Sequence, residues 1–213
     1  MVVVSVGYRK TLLMSSKEIK DYYDATVDRE VRSDLQQAIK LVDEPKIAID
    51  CGCGAGRDVA YLLANGFIVH VFDIETDSIL RCKKRFEGKD NVFLSQDSFS
   101  SYSYPFASLI LADASLFFCP ESEFNEVWSK INKSLSPGGI FVGSFLGPND
   151  TLANPSYRKE SFWPDILVFK EVQLRTKFNN FEIVNWTEHN IDGKTAQGKL
   201  HHWHIFSIIA KKI

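Results

Sequence analysis

Short, continuous apolar runs alternate with amphipathic stretches between about residue 46 and residue 146. Continuous apolar runs of about four to eight residues are typical of strands that are buried on both faces. Such runs occur in the order KIAID, FIVHVFD, NVFLSQD, SLILAD and IFVGSFL. Because stretches long enough to form crossover helices separate most of them, the pattern predicts a parallel, doubly wound sheet with right-handed connections.

Helical periodicity fills the intervals between these runs. The stretch RDVAYLLANG ends at Gly66, a C-terminal glycine signal, and TDSILRCKKRFEG offers Thr76 or Asp77 as its N-terminal cap. A longer helical pattern runs from about Ser16 to Leu41 and stops before Pro45. In ESEFNEVWSKINKSL, apolar side chains recur at helical spacing, namely Phe124, Val127, Trp128, Ile131 and Leu135.

The C-terminal part of the chain follows a different pattern. ILVF is extended, KEVQLRTKF is helical, FEIVNWTEH is a strand, NIDGKTAQGK is a loop and LHHWHIFSIIAKK is a closing strand. Two strands joined by a loop predict an antiparallel pair. The whole pattern therefore predicts an α/β fold of three layers, α/β/α, around a doubly wound sheet of seven strands that is mostly parallel and carries a C-terminal antiparallel strand.

Composition narrows the class of protein. A chain of 213 residues that is 45% hydrophobic can form a single domain with a sizeable core. A net charge of −2 argues against nucleic-acid binding through phosphate neutralisation. No apolar run is long enough to span a membrane, and the start MVVVSVGYRK lacks a basic leader. With four scattered cysteines that suit free thiols in a reducing compartment, we expect a cytoplasmic protein.

The stretch AIDCGCGAGRD carries the strongest chemical signal. Gly52, Gly54 and Gly56 stand at alternate positions behind Asp50, directly after the first predicted strand. Glycines permit unusual backbone angles and leave no side chain in the way of a ligand. Open α/β sheets bind ligands at the carboxyl ends of their strands. A plain glycine turn would explain one glycine, but not three of them behind an acid.

Two other interpretations of this stretch fit less well. Cys51 and Cys53 lack the second Cys or His pair of a structural zinc site, so we predict no metal. The GxGxxG fingerprint of nicotinamide and flavin folds requires a third glycine, where this chain has Arg57 or Val59. The glycine stretch therefore points to a different adenosine cofactor.

Acidic residues end two further predicted strands. Asp73 ends the second and can accept from both hydroxyls of a ribose, and Asp97 ends the third and can accept from an adenine amino group. Each of them alone would be an ordinary helix cap or turn residue. Together with Asp50 they place an acid at the ends of three successive strands.

The pattern DCGCGAG resembles motif I of class I S-adenosylmethionine-dependent methyltransferases. This resemblance implies a Rossmann-like fold, S-adenosylmethionine as cofactor and S-adenosylhomocysteine as product. It divides the chain into a helical cap (1–42), a cofactor-binding core (43–146) and an acceptor-side segment with the closing hairpin (147–213). The cofactor-binding residues that we predict are Tyr23, Arg29, Asp50, Gly52, Cys53, Gly54, Gly56, Arg57, Asp73, Ile74, Asp97, Ser98, Ala112 and Asp113.

More narrowly, the chain resembles the tellurite-resistance methyltransferase family. The matching segments are YYDATVDRE, CGCGAGRD, FKEVQLRTKFNNFEIV and WHIFSIIAKK. The chain departs from the family at Ser108, where many members begin the fourth strand with an acid, and in KTAQGKLHHWH, which is longer than the family's loop. These departures leave the cofactor site intact and affect the identity of the acceptor.

Methyl transfer needs an aligned acceptor and a dry pocket. In the resembled family a histidine near the end of the chain is implicated in the active site. His189 is the nearest match, and His202 and His204, which share one face of the last strand, complete the predicted catalytic set. A metal site built from these three histidines is the alternative. Aromatic faces tolerate a sulfonium cation, and the predicted pocket walls are Phe117, Phe118, Trp163 and Trp203.

The leading hypothesis is a methyltransferase for a small-molecule acceptor, with metalloid oxyanions and thiol compounds as candidates. An RNA or protein methyltransferase is one alternative, although the near-neutral charge and the absence of an appended basic domain argue against RNA. A non-catalytic protein that binds the same cofactor is another. We expect no nucleic-acid or membrane partner, and a monomer or a homodimer.

Overall fold

The computed structural model describes residues 17, 19–156, 166–195 and 198–213. Their strands form one sheet in the order β3-β2-β1-β4-β5-β7-β6. The first five strands are parallel, and β7 is antiparallel to both β5 and β6. The strands are β1 (Ile47–Cys51), β2 (Ile68–Asp73), β3 (Val92–Gln96), β4 (Ala107–Ala112), β5 (Leu135–Leu146), β6 (Phe181–Lys194) and β7 (Leu200–Lys212).

Helices cover both faces of this sheet, which confirms the predicted three-layer fold. Leu35, Val59 and Ile79, on three different helices, pack on one face. Trp128 and Phe178 pack on the other, within a large aromatic cluster. The helices are α1 (residues 19–26), α2 (Ser33–Ala38), α3 (Arg57–Ala64), α4 (Thr76–Arg85), α5 (Glu121–Ser134) and α6 (Glu171–Lys177), with 3-10 turns at Ile39–Leu41, Leu116–Phe118 and Thr151–Ala153.

The N-terminal helix differs from its prediction, which was a single helix from about Ser16 to Leu41. Position 16 lies outside the described residues, and a turn after residue 26 separates α1 from α2. The two helices are distinct because they bury different residues. Tyr23 of α1 packs against the glycine loop, whereas Leu35 and Ala38 of α2 enter the core beside the sheet.

Two smaller predictions are also wrong. The loop predicted from Asn190 begins as strand, because β6 continues to Lys194 and pairs with β7 along its whole outer part. The residue pattern of β6 alone does not show that pairing with β7 extends the strand. The residue that precedes the first turn of α4 is Glu75, and neither Thr76 nor Asp77 serves as its cap. In the described part of the chain, no helix is both long and apolar enough to cross a membrane.

Candidate active site

The glycine loop lies at the carboxyl end of β1 and leans on β2. The backbone N–H groups of Gly52 and Cys53 both donate to the carbonyl oxygen of Phe72, at 2.9 and 3.3 Å. The φ angles of Gly52, Gly54 and Gly56 are +80°, +51° and +76°, in the left-handed region that favours glycine. A Cβ atom on Gly52 would lie 2.7 Å from Cβ of Ser115. The loop therefore needs glycine for its backbone shape and for its close contacts.

Asp73 is bonded directly to this loop. Its Oδ2 accepts from the backbone N–H of Gly54 at 2.9 Å, and its Oδ1 accepts from the N–H of Glu75 at 2.9 Å. The hydroxyl of Ser78 lies 2.9 Å from Oδ2 of Asp73 and 2.6 Å from the carbonyl oxygen of Gly54. Burial raises the pKa of Asp73, and these hydrogen bonds oppose the rise. Ser78, which sequence reasoning missed, thus holds the acid and the loop together.

Asp50 is the most unusual group in the site. It is buried, and its Oδ2 has no hydrogen-bond partner among the residues that the structure describes. Burial, followed by the carboxylate of Asp58, raises its pKa well above the usual range. Buried carboxylate oxygens normally have a partner, so an orphaned one at the edge of a ligand site calls for a donor from outside the chain.

Asp97 directly follows β3, as predicted, and is surrounded by hydroxyls. It accepts from the hydroxyls of Ser95 and Ser101, the latter at 2.9 Å. The Ser98 hydroxyl lies 3.1 Å from that of Ser100, so the serines of this loop are bonded to one another. Directly after the neighbouring strand β2, Ile74 is 53% exposed beside Asp73. An apolar side chain that is open at a strand end suits contact with a flat ring.

Asp113 follows Ala112 at the end of β4 and pairs with an arginine that sequence reasoning missed. Nε of Arg32 lies 2.9 Å from its Oδ2. Burial raises the pKa of Asp113 and Arg32 lowers it. The next residue, Ala114, has a φ of +50° and donates its N–H to the Ser144 hydroxyl at 2.7 Å. A left-handed non-glycine residue here marks a tightly constrained strand end.

The two arginines that we predicted to bind the cofactor already have partners in the chain. Arg57 forms a fork with the carboxylate of Asp58, at 2.8 and 2.7 Å. Arg29 donates to the carbonyl oxygen of Ala25 at 3.0 Å. Arg32, three residues further along, is the one that reaches the strand ends. Arg29 and Arg32 were both visible in the sequence, but the choice between them depended on where α2 begins.

Tyr23, which we predicted to be a cofactor-site residue, packs against the glycine loop. Its ring would lie 3.3 Å from a Cβ on Gly54, and the guanidinium of Arg81 lies 5.6 Å above the centre of that ring. Burial and then the carboxylate of Asp73 raise the pKa of Tyr23. Gly54 is bonded to Asp73, so the Tyr23 ring packs on the loop residue that this acid holds.

The predicted pocket walls differ in their surroundings. Phe117 is buried in the core, where its carbonyl oxygen accepts from the N–H of Leu167 at 2.8 Å, and Phe118 is partly buried beside it. Trp203 is partly buried on β7, with its ring centre 3.9 Å from that of His201. Trp163 lies outside the described residues.

The three predicted catalytic histidines have different environments. His204 is buried, with Nδ1 3.1 Å from the backbone N–H of Asn149 and Nε2 2.8 Å from Glu188. His202 lies between Asp192 and Asn190 on the same face of the hairpin, at 2.7 and 2.8 Å. His189 is exposed on β6, opposite Ile205. The structure thus brings His202 and His204 to one face and turns His189 to the other.

A further pair at this end of the sheet was not predicted. Nε2 of His201 lies 2.9 Å from Oδ1 of Asp150, and both side chains are buried. Oδ2 of Asp150 also accepts from the backbone N–H of His204 at 2.9 Å. This pair fixes the loop after β5 against β7. Among the residues that the structure describes, no three histidine, cysteine, aspartate or glutamate side chains are grouped to hold a metal ion.

A family model described as tellurite resistance protein TehB matches residues 14–202. The chain belongs to the TehB family. TehB from Haemophilus influenzae has the same fold, with a TM-score of 0.71 and 16% identity over 92% of this chain and 67% of that one. An S-adenosylmethionine-dependent methyltransferase from Methanosarcina mazei gives 0.66 and 18%, over 87% of this chain and 99% of its own. No sequence among curated proteins matches the chain significantly.

A third structure of this fold was solved with ligands. It is the 1,6-didemethyltoxoflavin-N1-methyltransferase of Burkholderia thailandensis, with 1,6-didemethyltoxoflavin and S-adenosylhomocysteine bound. Its TM-score is 0.63 at 16% identity, over 100% of this chain and 92% of its own. The TehB family match and the shared fold confirm the predicted methyltransferase class, and the Burkholderia structure holds S-adenosylhomocysteine, the product form of the predicted cofactor.

The residues present fit this cofactor. S-adenosylmethionine carries a protonated amino group, and Oδ2 of Asp50 is an acceptor that has no donor in the described part of the chain. The carboxylates of Asp58 and Asp73 add negative charge around Asp50, so a cation at this place relieves their mutual repulsion. A bare glycine backbone beside this acid leaves room for the ligand.

Proposed function

We propose that this member of the TehB family transfers a methyl group from S-adenosylmethionine to a small-molecule acceptor, with metalloid oxyanions and thiol compounds as candidates. The buried Oδ2 of Asp50 beside the glycine loop carries the proposal, because it lacks a partner among the described residues and a cofactor ammonium would supply one. The Burkholderia relative in fold, whose structure holds a small heterocycle, supports an acceptor of small size.

Each strand end has an assigned task in holding the cofactor. Asp50 accepts from the amino group, Asp73 from the ribose hydroxyls and Asp97 from the adenine amino group. Asp73 already accepts from Gly54 and Glu75, but a carboxylate has about four lone-pair sites and can accept more. When bound, S-adenosylmethionine supplies an electrophilic methyl group on a sulfonium sulfur.

The chain's contribution to transfer is alignment and the exclusion of water. A displacement at a methyl group is fastest when the acceptor atom is held in line at about 3–3.5 Å. We assign Phe118 and Trp203 to the pocket wall, where aromatic faces stabilise the sulfonium cation and exclude water. His189 is assigned to accept a proton from acceptors that must lose one, such as a thiol.

The remaining assignments follow from composition. We propose that the protein works as a monomer or homodimer, with no nucleic-acid or membrane partner. Cys51, Cys53, Cys82 and Cys119 are buried free thiols, which suits a reducing compartment, so we propose a cytoplasmic location.

A thermal-shift and transfer experiment tests this function. S-adenosylhomocysteine should raise the Tm of the wild-type protein by binding the folded state, and Asp50→Asn should lose most of that rise. A radiolabelled methyl cofactor should then be offered with tellurite, selenite, a thiol series and RNA. Transfer to RNA alone would overturn the small-molecule assignment. The absence of any Tm shift at millimolar ligand would overturn the cofactor itself.

A further inference from the structure

Two thiols meet beneath the glycine loop. Sγ of Cys53, in the loop, lies 3.8 Å from Sγ of Cys82 on α4. Cys53 is 8% exposed and Cys82 is fully buried. No other role assigned above uses Cys82. Two thiols in van der Waals contact can be oxidised to a disulfide, a reaction that removes only their two hydrogens.

The pair is linked to the groups that shape the cofactor site. Sγ of Cys82 lies 3.7 Å from the carbonyl oxygen of Gly54, and it would lie 2.9 Å from a Cβ on Gly56. Sγ of Cys53 lies 3.4 Å from the hydroxyl of Ser78, the same hydroxyl that contacts Asp73. A movement of either sulfur therefore reaches both the loop and the predicted ribose acid.

We propose that Cys53 and Cys82 form an oxidation site, at which a peroxide converts the two thiols to a disulfide and the glycine loop loses its cofactor-binding shape. A disulfide has an S–S distance of about 2.05 Å, so the sulfurs must approach each other by about 1.8 Å. Because Gly54 and Gly56 pack directly on Cys82, the loop cannot keep all its present contacts through that movement.

The reaction balances with the peroxide as the only oxidant. The sulfur of Cys53 attacks one peroxide oxygen, the O–O bond breaks, and one water leaves with the thiol proton. The resulting sulfenic acid is attacked by the sulfur of Cys82, which forms the S–S bond and releases a second water. Cys53 reacts first because it is the more exposed of the two.

The cofactor and the oxidant compete for this site. A hydrogen bond to Cys82, followed by burial, raises the pKa of the Cys53 thiol, so this thiol reacts slowly at rest. Bound S-adenosylhomocysteine would cover the loop that contains Cys53 and slow oxidation further. Protection by the ligand and the loss of ligand binding rest on the proposed function, whereas formation of the disulfide does not.

The test compares the wild-type protein with Cys82→Ser and Cys119→Ser. Cys119 is also buried and free but has no sulfur neighbour among the described contacts, so its variant is the matched control. Each protein is treated with millimolar hydrogen peroxide, with and without S-adenosylhomocysteine, and then with dithiothreitol. Peptide mapping by mass spectrometry finds the disulfide, and calorimetry measures the ligand's Kd.

In the wild-type protein and Cys119→Ser we expect a Cys53–Cys82 peptide, a Kd weaker by about tenfold or more, and recovery on reduction. Cys82→Ser should lack the linked peptide and keep its Kd under peroxide. If serine destabilises this buried position, Cys82→Ala serves instead.

Absence of the linked peptide in oxidised wild-type protein would overturn the site, and an unchanged Kd in the linked protein would overturn its effect on the loop. Failure of reduced wild-type protein to bind the ligand would instead overturn the proposed function, while the peptide map still decides the site.

Discussion

The backbone N–H of Gly54 donates to Oδ2 of Asp73 at 2.9 Å, so the glycine loop after β1 and the acid that ends β2 form one unit. Ser78 closes this unit by contacting both residues. The acid that is assigned to the ribose therefore also sets the shape of the loop that supports the rest of the cofactor. Substitutions on either side of this bond should affect the whole site.

Asp73→Asn should weaken the binding of S-adenosylhomocysteine by roughly 10- to 100-fold. A hydrogen bond to a charged group contributes about 1.5–3 kcal/mol, and the amide offers one acceptor in place of two. Calorimetry at neutral pH measures the change. Asp77→Asn is the matched control, because Asp77 lies nearby in the first turn of α4 but pairs with Arg81. Equal affinity of wild-type protein and Asp73→Asn would show that the ribose site has been misplaced.

Gly52→Ala should destabilise the protein much more than Gly66→Ala. Both glycines have φ near +80°, so alanine pays the same backbone strain of about 1–2 kcal/mol at each. A Cβ at position 66 meets nothing within 4 Å, whereas one at position 52 lies 2.7 Å from Cβ of Ser115. Crowding of that kind adds about 1–3 kcal/mol. Urea unfolding of both variants gives the difference, and equal midpoints would contradict the contact.

Asp50→Asn should bind S-adenosylhomocysteine more weakly and yet be more stable than the wild-type protein at neutral pH. Burial raises the pKa of Asp50 in the folded state, so the folded protein holds a proton that the unfolded chain has released. Between the two pKa values, wild-type stability falls as pH rises, by about 1.4 kcal/mol per pH unit for this group. Asparagine does not titrate and lacks this loss.

Urea midpoints of wild-type protein and Asp50→Asn, measured from below the usual aspartate pKa to above neutrality, test this prediction. The difference isolates Asp50 from Asp73 and Asp113, whose pKa values burial also raises. The two proteins should be close in stability at the acidic end and diverge as pH rises. A difference that shrinks toward neutral pH would mean that Asp50 has a partner in the protein.

His189→Ala and His204→Ala should separate turnover from stability. His189 is exposed, so its loss should lower kcat and leave the Tm and the cofactor Kd near their wild-type values. His204 is buried with both ring nitrogens bonded, so its loss removes two hydrogen bonds and the packing of a buried ring. A hydrogen bond contributes about 0.5–1.5 kcal/mol net, so the Tm should fall in His204→Ala. Unchanged turnover in His189→Ala would show that His189 is a surface residue with no role in the reaction.

The sequence by itself determined the strands of the core, the glycine loop and the acids at the strand ends. These features are local: a buried strand needs a continuous apolar run, and a left-handed turn needs glycine where it occurs. Parallel strands bring their carboxyl ends to one edge of the sheet, so Asp50, Asp73 and Asp97 could be placed near that edge without coordinates.

Only the tertiary structure decided which distant residues meet. Arg32 with Asp113, Cys53 with Cys82 and His201 with Asp150 are pairs far apart in the chain. Their contacts depend on where helices begin and on the register between strands, and a shift of one residue in a strand turns each side chain to the other face. The histidines near the end of the chain were visible as a cluster in the sequence. Only the fold shows that His201 and His204 are buried, whereas His202 is partly exposed and His189 is exposed on β6.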